Sequence, residues 1–178
     1  GYDVSLKLDL AGFYPQGGGR ITANIRPARQ ILPLNLRHRG PLQSIDGISA
    51  VANLPSSIAE RQKRQSIRRL MHICEDIHIK TMSIRSPGKG TFLLLRAKFS
   101  SPDNMVQPAG CFFSLGALGK PAERVADEAV SQLLGFLKTD AVIDSHLADQ
   151  LLLPLSLAAG KSIFTTSRIT QHLLTNAE

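Results

Sequence analysis

Apolar and polar residues alternate without a break over Val4-Ser5-Leu6-Lys7-Leu8-Asp9-Leu10 and again over Ile21-Thr22-Ala23-Asn24-Ile25. This period of two predicts two half-buried strands. Between them lies Gly12-Phe13-Tyr14-Pro15-Gln16-Gly17-Gly18-Gly19. Such a segment makes either a wide hairpin turn or a nest of amides facing an anion. The glycines alone favour the turn, because glycine-rich turns greatly outnumber phosphate cradles, and the segment lacks the Gly-Lys-Ser/Thr ending of a nucleotide P-loop.

Pro27, Pro33 and Pro41 then punctuate an extended stretch carrying Arg26, Arg29, Arg37 and Arg39, which reads as a crossing between two bodies, with a boundary near Arg37. A strand around residues 45–52 leads through Pro55 to a helix, with Ser57 and Glu60 spaced as a capping box. Helical spacing places Ile67, Leu70, Met71 and Cys74 on an apolar side. Arg61, Arg64 and Arg68 form a basic stripe on another, with Lys63 and Arg69 nearby. Strand-like runs follow at 77–84, 91–99 and 109–115, separated by Ser86-Pro87-Gly88-Lys89-Gly90 and by a loop at 102–108.

A second crossing at 116–121 precedes a helix in which Val125, Ala126, Ala129, Val130, Leu133 and Leu137 recur at three- and four-residue steps, with Pro121 suited to its first turn. A helix over 146–153, a short strand at 163–166 and a helix starting at Thr170 complete the reading. The expected divisions are 1–37, 38–118 as a small α+β unit, and 119–178. The chain opens on Gly1 and stops at Glu178 inside an expected helix, so it is expected to be part of a larger polypeptide.

Composition narrows the class. With 178 residues and 43% apolar content the chain can bury one good core or two small ones. Its longest apolar stretch, at 151–159, holds Pro154 and Ser156 and falls far short of the roughly 20 residues of a spanning helix, so no membrane role is expected. Cys74 and Cys111 are too few for a disulfide framework or zinc site and are expected to be buried free thiols in a reducing cytoplasm. Residues 20–98 hold 15 Lys/Arg against four acids, while the rest hold six against ten. A basic middle makes nucleic acid the first partner to consider, against the plain alternative of a solvated surface.

Two segments carry the candidate chemistry. If Thr170 caps the last helix, His172, Thr175 and Asn176 share a polar side near a helix N-terminus, a location that suits phosphate. A neutral imidazole is a competent nucleophile, and the phosphoramidate it forms is labile enough to pass the group on. On local chemistry alone, however, a lone helical histidine is more often structural. In His146-Leu147-Ala148-Asp149-Gln150, the imidazole, carboxylate and amide can face one way from a helix, able to stack a base and bind its edge or a ribose hydroxyl. The plain alternative is a solvated helix start. His38, His72 and His78 are scattered, and no metal-ligand spacing is present.

Taken together, Gly12-Phe13-Tyr14-Pro15-x-Gly17-Gly18-Gly19, Leu147-Ala148-Asp149-Gln150-Leu151-x-Leu153-Pro154 and His172-Leu173-Leu174-Thr175-Asn176 resemble, in order and approximate spacing, the C-terminal half of RNA 3'-terminal phosphate cyclases of bacteria and archaea. The resemblance extends over nearly the whole chain and is weakest between residues 40 and 110. It implies an α+β fold: a body of repeated βαβαββ units, related to that of enolpyruvyl transferases, with a small α+β domain inserted at about residues 37 and 119. It also implies ATP-dependent conversion of an RNA 3'-phosphate to a 2',3'-cyclic phosphate.

In that scheme His172 carries AMP, and His146, Leu147, Ala148, Asp149 and Gln150 line the adenylate pocket with His146 stacked on adenine. A divalent metal, usually magnesium, offsets phosphate charge. The N-terminal half of the family is absent from this sequence, so the chain alone is expected to be inactive and to need that half as a partner. The alternative is a non-catalytic cyclase-like protein of RNA binding or ribosome assembly, against which the intact His172 segment argues.

Overall fold

The computed structural model describes residues 3–100 and 109–178; the loop expected at 102–108 lies outside the described residues. Strands β1 (Asp3–Leu10) and β2 (Arg20–Arg26) pair as an antiparallel hairpin, so the glycine segment between them is the turn that alternation predicts. Gly17 and Gly18 take positive φ there, a conformation with no steric cost to glycine. Register sets Val4 opposite Ile25, Leu6 opposite Ala23 and Leu8 opposite Ile21. One face of the ribbon is thus wholly apolar, yet those five larger side chains are 50–70% exposed.

The chain continues through a two-residue strand β3 (Asn35–Leu36) into β4 (Leu42–Ala52), helix α1 (Ser57–Leu70), β5 (Ile77–Ser83), β6 (Gly90–Phe99), β7 (Ala109–Leu115) and α2 (Ala122–Leu137). The four longer strands form one sheet in the order β5-β4-β6-β7, with β4 parallel to β5 and every other pair antiparallel. Both helices cover the same face. Ile45, Ile79, Leu93, Leu95, Ala97, Phe99 and Phe112 from the strands meet Leu70 of α1 and Val125, Ala129, Val130 and Leu133 of α2 in one core.

Three details of α1 differ from the expectation. Ser56 occupies the N-cap without a side-chain hydrogen bond, and Glu60 accepts a proton from the Thr81 hydroxyl at 2.5 Å rather than closing a capping box with Ser57. Met71 is 54% exposed. The buried stripe is Ala59, Gln62, Ser66 and Leu70, and its polar members are affordable because they are paired. The Gln62 amide donates to Thr91 Oγ1 at 2.9 Å and accepts from Ser49 Oγ at 2.7 Å, and Ser66 Oγ donates to the Gln62 carbonyl. Burying these groups unpaired would cost about 1–3 kcal/mol each.

The helices are also stitched by charge. Arg61 reaches Glu123 through two hydrogen bonds of 2.8 and 2.6 Å, and Arg69 meets Asp127 at 3.1 Å. Two members of the expected basic group on α1 are therefore neutralised by α2. Pro121 stands as the N-cap of α2, one residue before its first turn. Cys74 is buried as expected, but Cys111 is exposed on β7.

The crossing at 116–121 joins two elements that share a core, and the change of core comes later, between Ala141 and Val142. Arg39 marks that junction. Its guanidinium lies 4.8 Å over the Phe99 ring and 4.4 Å over Phe136, and it donates to the carbonyls of Phe136, Leu137, Thr139 and Ala141. Past this point, Val142, Ile143 and Ala148 build a second, smaller core with Leu34, Leu36, Leu147, Leu151, Phe164 and Leu173. Its elements are α3 (Ser145–Ser156), β8 (Ile163–Phe164), which pairs in parallel with β3, and α4 (Gln171–Ala177). The fold is of the mixed α+β class, and among the described residues no helix is long and apolar enough to cross a membrane.

Arg39→Ala removes two cation–π contacts and the side-chain donors to four carbonyls at and beyond the end of α2; chemical denaturation should show a loss of about 2–4 kcal/mol, with Arg39→Lys recovering little because an ammonium lacks the forked donors that reach all four. A second outcome concerns acid. The Arg61 hydrogen bonds hold Glu123, and Lys120 holds Glu128, below the ordinary glutamate value of 4.5. Depressed carboxylates stabilise above that value and cease to do so as pH falls through their native one. The melting temperature should thus drop on acidification below 4.5, and Glu123→Gln should flatten that dependence.

Candidate nucleotide site

Asp144, 5% exposed, starts the site. It is the N-cap of α3, its Oδ1 accepting from the amides of His146 and Leu147 at 3.0 Å each. This cap fixes where the candidate segment begins. The following residues then separate by helical geometry: Leu147 and Ala148 turn into the second core, Ala148 completely, while His146 and Gln150 are exposed and Asp149 is half-buried.

Asp149 connects the two candidate segments. Its Oδ1 accepts the Thr170 hydroxyl proton at 2.5 Å, and its carbonyl accepts from Asn176 Nδ2 at 3.3 Å. Thr170 is the N-cap of α4, as its position before the last helix predicts, with Oγ1 accepting the Leu173 amide at 3.0 Å. The hydroxyl thus spends its one proton on Asp149 and a lone pair on the helix. Leu173 packs into the second core and His172, one residue before it, is exposed.

His172 and the 146–150 segment, separated by more than 20 residues of sequence, are therefore carried on two helices locked to each other. An exposed imidazole on a fixed helix can attack an electrophile that arrives from outside, and His146 and Gln150 offer a ring and an amide on the helix locked to it. A concavity of about 700 Å³ lies elsewhere, at the junction of the cores, between Arg37, His38 and Arg39 on one side and Thr139, Thr165 and Thr166 on the other. Among the described residues, no three His, Cys, Asp or Glu side chains gather as a metal site.

Sequence reasoning found Thr170 but missed Asp144, although an Asp directly before an amphipathic run is a recognised cap signal. The hydroxyl relay makes a specific forecast. Thr170→Val should free the Leu173 amide, raising its hydrogen-exchange rate several-fold, and Asp149→Asn should act in the same direction but less, while amides of α2 stay protected.

The family model for RNA 3'-terminal phosphate cyclase matches residues 1–178. Proteins named RNA 3'-terminal phosphate cyclase from Nostoc punctiforme, Methylococcus capsulatus and Methanopyrus kandleri are 37%, 38% and 37% identical over 177, 178 and 183 residues. Each comparison covers 99% of this chain and 49%, 48% and 51% of the respective relative. The chain spans about half the length of the curated relatives it matches. A match across the whole sequence, with relatives above a third identical, places the chain in the RNA 3'-terminal phosphate cyclase family.

Proposed function

We propose that this chain supplies the nucleotide-carrying part of an enzyme that converts RNA 3'-phosphate ends to 2',3'-cyclic phosphates at the expense of ATP. The observation that carries the reading is the Asp149–Thr170 lock, which holds the exposed His172 helix against the helix bearing His146 and Gln150.

A ring nitrogen of His172 attacks the α-phosphorus of ATP, forming a P–N bond as the bond to pyrophosphate breaks. An oxygen of the RNA 3'-phosphate then takes the AMP and the imidazole is released. Finally the neighbouring 2'-hydroxyl attacks the activated 3'-phosphorus, losing its proton, and AMP departs. The anhydride supplies the leaving group that a phosphomonoester lacks, and the 2'-hydroxyl is already within reach.

His146 stacks on adenine and Gln150 reads its edge or the ribose, while Leu147 and Ala148 build the floor beneath them and Asp149 holds the two helices in register. Magnesium, when bound with the nucleotide, would neutralise phosphate charge. We place the small inserted unit at residues 38–141, extending the expected 38–118 to include α2, with residues 1–37 and 142–178 in the body. The uncovered apolar face of the β1/β2 ribbon supports an N-terminal half packed against it, without which the chain alone is inactive. Two free cysteines support a reducing, cytoplasmic setting.

The test is incubation of the full-length protein with ATP labelled at the α-phosphate. Acid-labile label should survive denaturation in the wild type and vanish in His172→Ala. Equal labelling of both would remove the nucleophile from His172, and no labelling of either would favour a non-catalytic cyclase-like protein.

A further inference from the structure

The helices α1 and α2 cover one face of the β5-β4-β6-β7 sheet, and the other face is open. Alternation along each strand places on it His78 and Lys80 of β5, Asp46 and Ile48 of β4, Leu94 and Arg96 of β6, and Cys111 and Phe113 of β7. Register arranges these in two rows that cross the sheet. Lys80, Ile48, Leu94 and Phe113 are successive partners in one, and His78, Asp46, Arg96 and Cys111 in the next. The outer strands lie about 14 Å apart at ordinary strand spacing. Beyond these rows the Phe13 ring of the hairpin tip lies against Gly90, so the free area is bounded on that side.

The chemistry of the rows is specific. Phe113 is 49% exposed and presents an aromatic ring at one edge, and the exposed His78 ring stands at the other. Between them lies a concavity of about 460 Å³ lined by Asp46, Ile48, His78, Lys80, Leu94 and Arg96. Cations exceed anions here: Arg96 and Lys98 share Asp46 at 2.8 and 2.6 Å, and Lys80 has no ion pair among the described residues. Protein interfaces are depleted of lysine at their centres. A positively charged surface carrying aromatic and flat apolar side chains is instead what a single strand of nucleic acid needs, phosphates on the cations and bases on the rings.

We infer that this open sheet face binds single-stranded RNA, with Phe113 and His78 as stacking groups and Lys80, which has no ion pair among the described residues, as the phosphate contact. The choice of RNA over DNA rests on the function proposed above. The inference moves the contact surface away from α1, whose Arg61 and Arg69 are committed to acids of α2, to the opposite side of the unit.

The experiment measures affinity of the full-length protein for a single-stranded oligoribonucleotide ending in a 3'-phosphate, across a salt series. Phe113→Ala should weaken binding roughly 5- to 100-fold, and Lys80→Ala should reduce the slope of log affinity against log salt by about 0.7. Both positions are exposed, and circular dichroism of each variant should match the wild type. The oligoribonucleotide should also protect Cys111 from alkylation, read residue by residue by mass spectrometry, with buried Cys74 as an unreactive control. Unchanged affinity and salt slope in both variants would overturn the inference. So would a Cys111 already protected without RNA, since a protein surface would then occupy the face. Labelling of His172 by ATP is measured without RNA, so the two readings fail separately: lost labelling with intact RNA protection removes the chemistry alone, and the reverse removes only the platform.

Discussion

A single guanidinium stands where the chain enters and leaves its larger core. Arg39 belongs to the incoming segment, yet its donors end on carbonyls at 136, 137, 139 and 141 of the outgoing one. The last turn of a helix has carbonyls without partners and a partial negative charge, so a cation held there meets both needs. Burial pulls the Arg39 guanidinium below its usual value and nearby Asp140 opposes that shift; the rings of Phe99 and Phe136 replace water around it. With entry and exit clasped, the sheet and its two helices close as a unit, and the incoming β3 and the outgoing Ile143 both pair with the chain at 163–166, β3 with β8 and Ile143 with Thr166.

The two helices of the candidate site, α3 and α4, depend on that closure through the smaller core. Val142 and Ile143 follow directly from the clasp and pack beneath Ala148 and Leu173. From there two helix caps joined by one tertiary hydrogen bond reach His172: Asp144 starts α3, α3 presents Asp149, Asp149 holds Thr170, and Thr170 starts α4. Each link is a single contact, but the sum fixes a residue that no long element supports. Such a site inherits its precision from caps and packing instead of from a rigid strand.

Much of this was readable beforehand. Unbroken alternation located both ribbon strands, and three- and four-residue recurrence located α2, because both patterns report which face is buried. The stripe on α1 was harder, since Gln62 and Ser66 look like outward positions until Ser49 and Thr91 are seen to satisfy the first and the Gln62 carbonyl the second. The 116–121 segment reads as a linker by its Gly and Pro content, but it is only the loop from β7 to α2, tied back by Gly116 donating to the Thr91 carbonyl. Thr170 was legible as a cap because capping is local. Its bond to Asp149 was not, because 21 residues separate them and no local pattern encodes a tertiary hydrogen bond.

The hairpin tip adds a second attachment. The Ala11 amide donates to the Arg85 carbonyl at 2.9 Å, Gly18 lies against Pro87, and a Cβ at Gly90 would fall 2.1 Å from the Phe13 ring. A module joined to its neighbour only through a pair of adjacent strands keeps a swivel about that joint. Contact at a second point restrains that swivel. Gly90, by leaving room for one ring, turns a single tether into a two-point attachment.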